Sequence, residues 1–196
     1  MAKIFFELCD DLRQTVQVNV QDNLGYTPLL LSLRFDWERS KEMVKLLLRK
    51  GASPSLAHPK DGLTPLHCIC LRANRGGVDL AEIFFKTCDD IEQKVQVDAV
   101  NNADETPLRL LLQDRRVDEQ LMRLLLRRGA SPNFSFSDGS TPLHIICKNN
   151  FEDSCEFLDT FLKINKEINQ LVHVNVQNNQ GKTPLHLALR LNLEFV

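Results

Sequence analysis

Gly62-Leu63-Thr64-Pro65-Leu66-His67 decides the fold, because the chain repeats it. It returns as Gly139-Ser140-Thr141-Pro142-Leu143-His144 and as Gly181-Lys182-Thr183-Pro184-Leu185-His186, and Thr-Pro-Leu also begins at Thr27 and at Thr106. A proline ring bars the preceding residue from helical backbone, which is the geometry an N-cap needs. The threonine hydroxyl can accept from an orphan amide, and proline at the first helical position forfeits no hydrogen bond. Each Thr-Pro therefore predicts the start of a short helix, such as Pro65 to Leu71.

Taken two at a time the copies become regular: 27 to 106 is 79 residues, while 64 to 141 and 106 to 183 are both 77. Other segments follow the same period. Leu47-Leu48-Arg49-Lys50-Gly51-Ala52-Ser53-Pro54 returns as Leu125-Leu126-Arg127-Arg128-Gly129-Ala130-Ser131-Pro132, and Ile4-Phe5-Phe6 with Cys9-Asp10-Asp11 returns as Ile83-Phe84-Phe85 with Cys88-Asp89-Asp90. The unit that recurs is thus a pair of unequal structural repeats. Within it a second helix follows the first. Glu42 to Lys50 places Met43, Val44, Leu47 and Leu48 on one side, and Gly51 supplies a left-handed stop. Polar turns such as Asp22-Asn23-Leu24-Gly25, Lys60-Asp61-Gly62 and Asn178-Asn179-Gln180-Gly181 precede the Thr-Pro steps.

These signatures, with the Leu-Leu…Gly-Ala segments that follow two of them, resemble the ankyrin repeat family across nearly the whole chain. The resemblance implies an all-α, ankyrin-repeat solenoid of helix-turn-helix units with short hairpin-like turns and no extended sheet. It divides the chain into a half repeat over 1–20 (second helix only), repeats over 21–58, 59–100, 101–136 and 137–177, and a half repeat over 178–196 (first helix only). Departures are visible. Asp104 and Arg109 stand where glycine and histidine are usual in the third signature, and Leu30 takes the histidine slot in the first. Even-numbered repeats lack the Gly-Ala stop, so a second helix extended by a turn or two is expected across Leu80 to Lys94. Odd-numbered repeats read as stretched between their helices, around Arg34-Phe35-Asp36-Trp37 and Asp114-Arg115-Arg116.

Composition narrows the function. Apolar residues make up 43% and charged residues 26%, enough for a core under a solvated surface. Lys+Arg is 24 against 26 Asp+Glu, a formal net charge of -2, which argues against a nucleic-acid partner. Met1-Ala2-Lys3-Ile4-Phe5-Phe6-Glu7 is too short an apolar stretch for a signal peptide, and Leu29 to Leu33 too short for a membrane span. The expectation is an intracellular, cytoplasmic chain, with the nucleus left open as the alternative, reduced thiols and no membrane partner.

No enzyme chemistry converges. Gly181-Lys182-Thr183 imitates the end of a phosphate-binding loop, but Val176 occupies the position of the earlier glycine and Pro184 follows at once. His67, Cys68 and Cys70 lack the spacing of a zinc site, and Cys70 recurs at Cys147 as a small core hydrophobe would. Asp10-Asp11 and Asp89-Asp90, and the basic run through Arg115-Arg116, Arg123 and Arg127-Arg128, read as solvated helix faces. No cofactor, metal or small-molecule substrate is expected.

The resemblance implies that another protein is bound along a concave groove of turn tips and first helices. Carried onto this chain, the partner-binding candidates are Leu24, Tyr26, Arg34, Phe35, Trp37, Leu63, Arg72, Glu105, Gln113, Asp114, Lys148 and Lys182. Tyr26, Phe35 and Trp37 are the expected anchors, since aromatic and arginine side chains dominate interface energy. The alternative is a structural or self-assembling element completed head-to-tail through the half-repeat ends.

Overall fold

A computed structural model describes residues 1–34, 37–73, 76–114, 117–149 and 154–193. Two compact units divide the chain, Met1–Gln96 and Val97–Val196. Helices are the regular structure throughout the described residues, and no strand occurs among them. The N-terminal unit holds α1 (Ala2–Asp11), α2 (Pro28–Ser32), α3 (Trp37–Arg49), α4 (Pro65–Cys70) and α5 (Gly77–Asp90). Short helix α2 packs on long helix α3, α4 packs on α5, and the like helices of neighbouring hairpins stack, α2 on α4 and α3 on α5. The C-terminal unit holds α6 (Pro107–Gln113), α7 (Glu119–Arg127), α8 (Pro142–Lys148), α9 (Ser154–Glu167) and α10 (Pro184–Leu193), with the same pairing of α6 with α7 and α8 with α9.

The Thr-Pro steps start helices as their chemistry requires. Thr27 and Thr106 are extended N-caps whose hydroxyls accept from the Leu30 and Arg109 amides at 3.2 Å. At Thr64 the histidine three residues on joins in: His67 Nδ1 accepts from the Thr64 amide at 3.1 Å and lies 2.8 Å from its hydroxyl. His144 and His186 repeat the contact with Thr141 and Thr183. The leucines after the prolines, Leu29, Leu66, Leu108 and Leu143, are buried, each side chain contributing about 1.5–3 kcal/mol by leaving water. Leu185 in the fifth copy is 65% exposed.

Helix ends correct three expectations. Even-numbered repeats do have a left-handed stop, but glycine does not make it. Glu92 (φ 55°) and Asn169 (φ 56°), with Arg13 (φ 53°) after α1, occupy the slot filled by Gly51 (φ 92°) and Gly129 (φ 96°). The hydrogen bonds are the same in both kinds. Gln93 N–H reaches Cys88 O at 2.9 Å as Ala52 N–H reaches Leu47 O at 2.9 Å, the pattern that satisfies the last carbonyls of a helix. The even second helix runs Gly77–Asp90, not Leu80 to Lys94, so its extra length lies at the start; at 14 residues it exceeds α7 (9) but barely exceeds α3 (13). Helix α3 in turn begins at Trp37 rather than Glu42, and its buried face continues one turn back from Val44 to Ser40, whose hydroxyl donates to Ser32 O at 2.7 Å. Trp37 thus opens a helix instead of lying in a connector; Phe35, Asp36, Arg115 and Arg116 lie outside the described residues. Helix α6 ends at Gln113 and Asp118 caps α7 through the Gln120 and Leu121 amides, so the helices of this odd repeat stand no farther apart in sequence than Cys70 and Gly77 of an even one.

Candidate functional site

Turns between hairpins are built by one repeated device. Asp22 Oδ1 accepts from the Leu24 and Tyr26 amides at 2.9 Å, Asn101 Oδ1 from Ala103 and Glu105 at 2.9 Å, and Asn178 Oδ1 from Gln180 and Lys182 at 3.0 Å. A short side-chain acceptor two residues before the tip locks the backbone and leaves the tip side chains outside. The fourth residue of the turn needs positive φ, supplied by Gly25, Gly139 and Gly181 and, in the third turn, by Asp104 at 60°. The unusual Asp104 and Arg109 prove to be one arrangement: Arg109 Nη1 lies 3.7 Å from Asp104 Oδ2 and donates to its carbonyl at 3.2 Å, while Asp104 Oδ2 accepts from Ser137 N at 2.6 Å. Those Ser137 hydrogen bonds, with the Arg109 charge, hold the Asp104 carboxyl below its ordinary value.

In the N-terminal unit these turns and first helices border a cleft of about 620 Å³. Tyr26, Arg34, Leu63 and Arg72 meet there, four residues singled out in the sequence. The Arg34 guanidinium carbon sits 4.6 Å from the Tyr26 ring centroid, and Arg72 Nη2 donates to the Arg34 carbonyl at 2.7 Å. Leu30 and Leu33 form a buried floor, and Leu71, 55% exposed, forms a side. His58, which the sequence reading missed, is the buried support: its ring stacks 4.5 Å from Tyr26, Nε2 donates to Leu24 O at 3.0 Å, and Nδ1 lies 2.9 Å from Asp61 Oδ1. The signal for it was a shifted register, since this turn closes from His58 N to Leu63 O, one residue wider than Asp22 N to Tyr26 O. Leu24 is exposed and contributes only its carbonyl. Cys68 also borders the cleft, its thiol pushed up to about 11 by burial, with Asp61 adding to the effect.

A second cleft, about 680 Å³, lies within the C-terminal unit, and most of the residues that line it are polar or charged. Gln113, Lys148 and Lys182 line it, together with Arg109 and His144, two residues outside the expected set. Turning its amide to suit its neighbours, Gln113 donates to Glu105 Oε1 at 2.9 Å and accepts from Arg109 Nε at 3.2 Å, which ties Glu105 to the cleft wall. Asp114, the C-cap of α6, does not line it, and Phe35 lies outside the described residues. Lys182 O receives His144 Nε2 at 3.1 Å and Thr183 pairs with His186, so this glycine-lysine-threonine is consumed by a repeat turn rather than shaped around a phosphate. Among the described residues no group of three or more His, Cys, Asp or Glu side chains could hold a metal ion, and no helix is long and apolar enough to cross a membrane.

Comparison with known proteins agrees with the hairpin architecture. A three-copy ankyrin repeat model matches residues 114–196, and a single-copy one matches residues 24–58. The chain is 28% identical over 171 residues to the human transient receptor potential cation channel subfamily A member 1, covering 86% of this chain and 14% of that protein. It is 30% identical over 130 residues to the mouse B-cell lymphoma 3 protein homolog, covering 66% of this chain and 26% of the relative. Ankyrin repeat protein B18 of Variola virus is 25% identical over 193 residues, 86% of this chain and 30% of the viral protein. In each case the chain spans less than a third of the relative's length.

Proposed function

The chain belongs to the ankyrin repeat family, and from that premise we propose that it binds a partner protein through its turn tips and first helices, with the strongest contacts in the first repeat. One observation carries the placement. Tyr26, Arg34, Leu63 and Arg72, drawn from two successive repeats, converge on one open cleft with an apolar floor. Aromatic and arginine side chains held in place by neighbours are the usual anchors of an interface, because little entropy remains to be lost when a partner arrives. The repeat units over 21–58, 59–100, 101–136 and 137–177 are the binding modules of this reading. Glu105, Gln113, Asp114, Lys148 and Lys182 are its secondary contacts, and Leu24, Phe35 and Trp37 belong to the first-repeat set. The proposed compartment is intracellular, in keeping with five free cysteines among the described residues.

The test compares partners captured from cell lysate by the parent chain and by a folded Tyr26→Ala/Arg34→Ala variant. Loss of a specific partner in the variant is expected, since each anchor contributes about 2 kcal/mol when well buried. Undiminished capture would move the interface away from the first repeat.

A second reading, self-association, rests on a separate observation. Helix α1 has second-helix register and exposes Ile4, Phe5 and Leu8, while α10 has first-helix register and exposes Leu185 and Leu189. One copy's α10 and another's α1 would compose a hairpin. Sedimentation velocity decides it: a mass that rises with concentration and falls with Phe5→Glu supports it, and a constant monomer mass removes it.

A further inference from the structure

We infer that the N-terminal cleft receives a segment of the partner in which a carboxylate adjoins a bulky apolar side chain. The inference rests on the protein-binding reading above and gives it a chemistry. Two guanidinium groups, Arg34 and Arg72, border the cleft. Its acidic lining residue, Asp61, is already engaged: Oδ1 lies 2.9 Å from His58 Nδ1 and accepts from the Leu63 amide at 3.0 Å. Two guanidinium groups against one carboxylate leave the described lining with an excess of positive charge, on a chain whose formal net charge is -2. Arg34 is also exposed, and the Tyr26 ring 4.6 Å from its guanidinium carbon restrains the fork at the edge of the cleft. A planar, immobilised guanidinium matches the two oxygens of a carboxylate, and little side-chain freedom is lost in making the pair.

The apolar half of the specificity lies beside it. Leu63 is half-buried and Leu71 is 55% exposed, and both border the cleft above the buried Leu30 and Leu33. An apolar side chain set there displaces water from the same leucines, and the drier site strengthens the neighbouring ion pair. Support for Tyr26 comes from beneath. His58 stacks on its ring and bonds the previous turn through Leu24 O, so the platform under Arg34 is held by two successive turns.

The experiment is an NMR titration of the full chain with the acetylated peptide Gly-Ser-Glu-Leu-Glu-Gly-Ser, alongside Gln-Leu-Gln and Glu-Ala-Glu versions of its centre. The expected result is shifts of the Tyr26, Leu63 and Leu71 resonances with the first peptide, and affinity about tenfold or more weaker with either of the others, as charge-assisted hydrogen bonds and a buried leucine imply. Arg34→Gln, with its spectrum unchanged outside the cleft, should erase the preference for Glu over Gln. Leu71→Ala, an exposed position where folding is not at stake, should erase the preference for Leu over Ala. Equal affinity for all three peptides, a preference that survives Arg34→Gln, or no shift at millimolar peptide would each overturn the inference. Failure here with partner capture still lost in Tyr26→Ala/Arg34→Ala discards the chemistry alone; undiminished capture by that variant discards the interface.

Discussion

Replacing Glu92 by glycine should stabilise the protein, although it removes a side chain and adds no contact. Glu92 holds φ 55° at the end of α5, where the Glu92 and Gln93 amides close the helix on Asp89 O and Cys88 O. A left-handed conformation costs an L-residue roughly 1–2 kcal/mol, and glycine avoids it while losing about 0.5–1 kcal/mol more backbone entropy. The Glu92 side chain is exposed, and its negative charge faces the negative end of the helix dipole, an unfavourable contact of about 0.3 kcal/mol or more at low salt. The net expectation is a gain of about 1 kcal/mol, or roughly 2–4 °C in Tm for a chain of this size. Urea unfolding followed by helical circular dichroism, in the transition of the N-terminal unit, measures it. Glu92→Ala separates the causes, because it removes the charge and keeps the Cβ; it should recover well under half the gain. A Glu92→Gly variant no more stable than Glu92→Ala would refute the backbone argument.

The same reasoning runs in reverse at Gly51 (φ 92°), where an added Cβ would meet nothing within 4 Å: Gly51→Ala should destabilise by about 1 kcal/mol, and Gly25→Ala by more in the same urea assay, because its Cβ would fall 2.7 Å from Pro59 Cγ. Asp98 occupies the slot of Asn19 one double repeat later, and both accept from the serine after a Gly-Ala stop, Ser131 and Ser53. Burial raises the Asp98 carboxyl despite that bond, so its ionisation subtracts stability as pH rises from its unfolded value through its folded one. Asp98→Asn should therefore stabilise the C-terminal unit at neutral pH, by a margin that shrinks on acidification; a margin that grows as pH falls would contradict the sign. Asp104 behaves oppositely: its lowered carboxyl contributes stability above the unfolded value near 3.9 that is lost as pH falls through the folded one, and Asp104→Asn should flatten that part of the acid-unfolding curve. Burial raises the Cys70 thiol strongly and Cys68 to about 11, so iodoacetamide at neutral pH, read by peptide mass spectrometry, should label both far more slowly than in urea-unfolded chain; equal rates would refute it.

What the sequence revealed and what it concealed divide along physical lines. Helix starts were legible because Thr-Pro forces one geometry, and glycine stops were legible because glycine advertises positive φ. The stops at Arg13 and Glu92 were not, since backbone hydrogen bonds impose the left-handed conformation there on residues with no preference that announces it; Asn169, a residue that tolerates this conformation, carried a weak signal. The start of α5 was hidden for a similar reason: Gly76 at φ 81° precedes it without a side-chain cap, so no N-cap residue marks the boundary. Tyr26, Arg34, Leu63 and Arg72 could be placed by repeat register, but their convergence depends on His58, whose turn is one residue wider than the others. Arg109 was visible as a departure from pattern; that it answers Asp104 five residues earlier required the turn's geometry.

The central claim, that a partner protein lies against the turn-and-first-helix face of the first two repeats, is tested most directly by site-specific photo-crosslinking. A photoreactive residue replaces Leu71, which borders the cleft, or Lys86, exposed on the second helix α5. The account predicts that a specific protein from lysate is crosslinked at position 71 and not at 86. A specific partner crosslinked at 86 and not at 71 would contradict it.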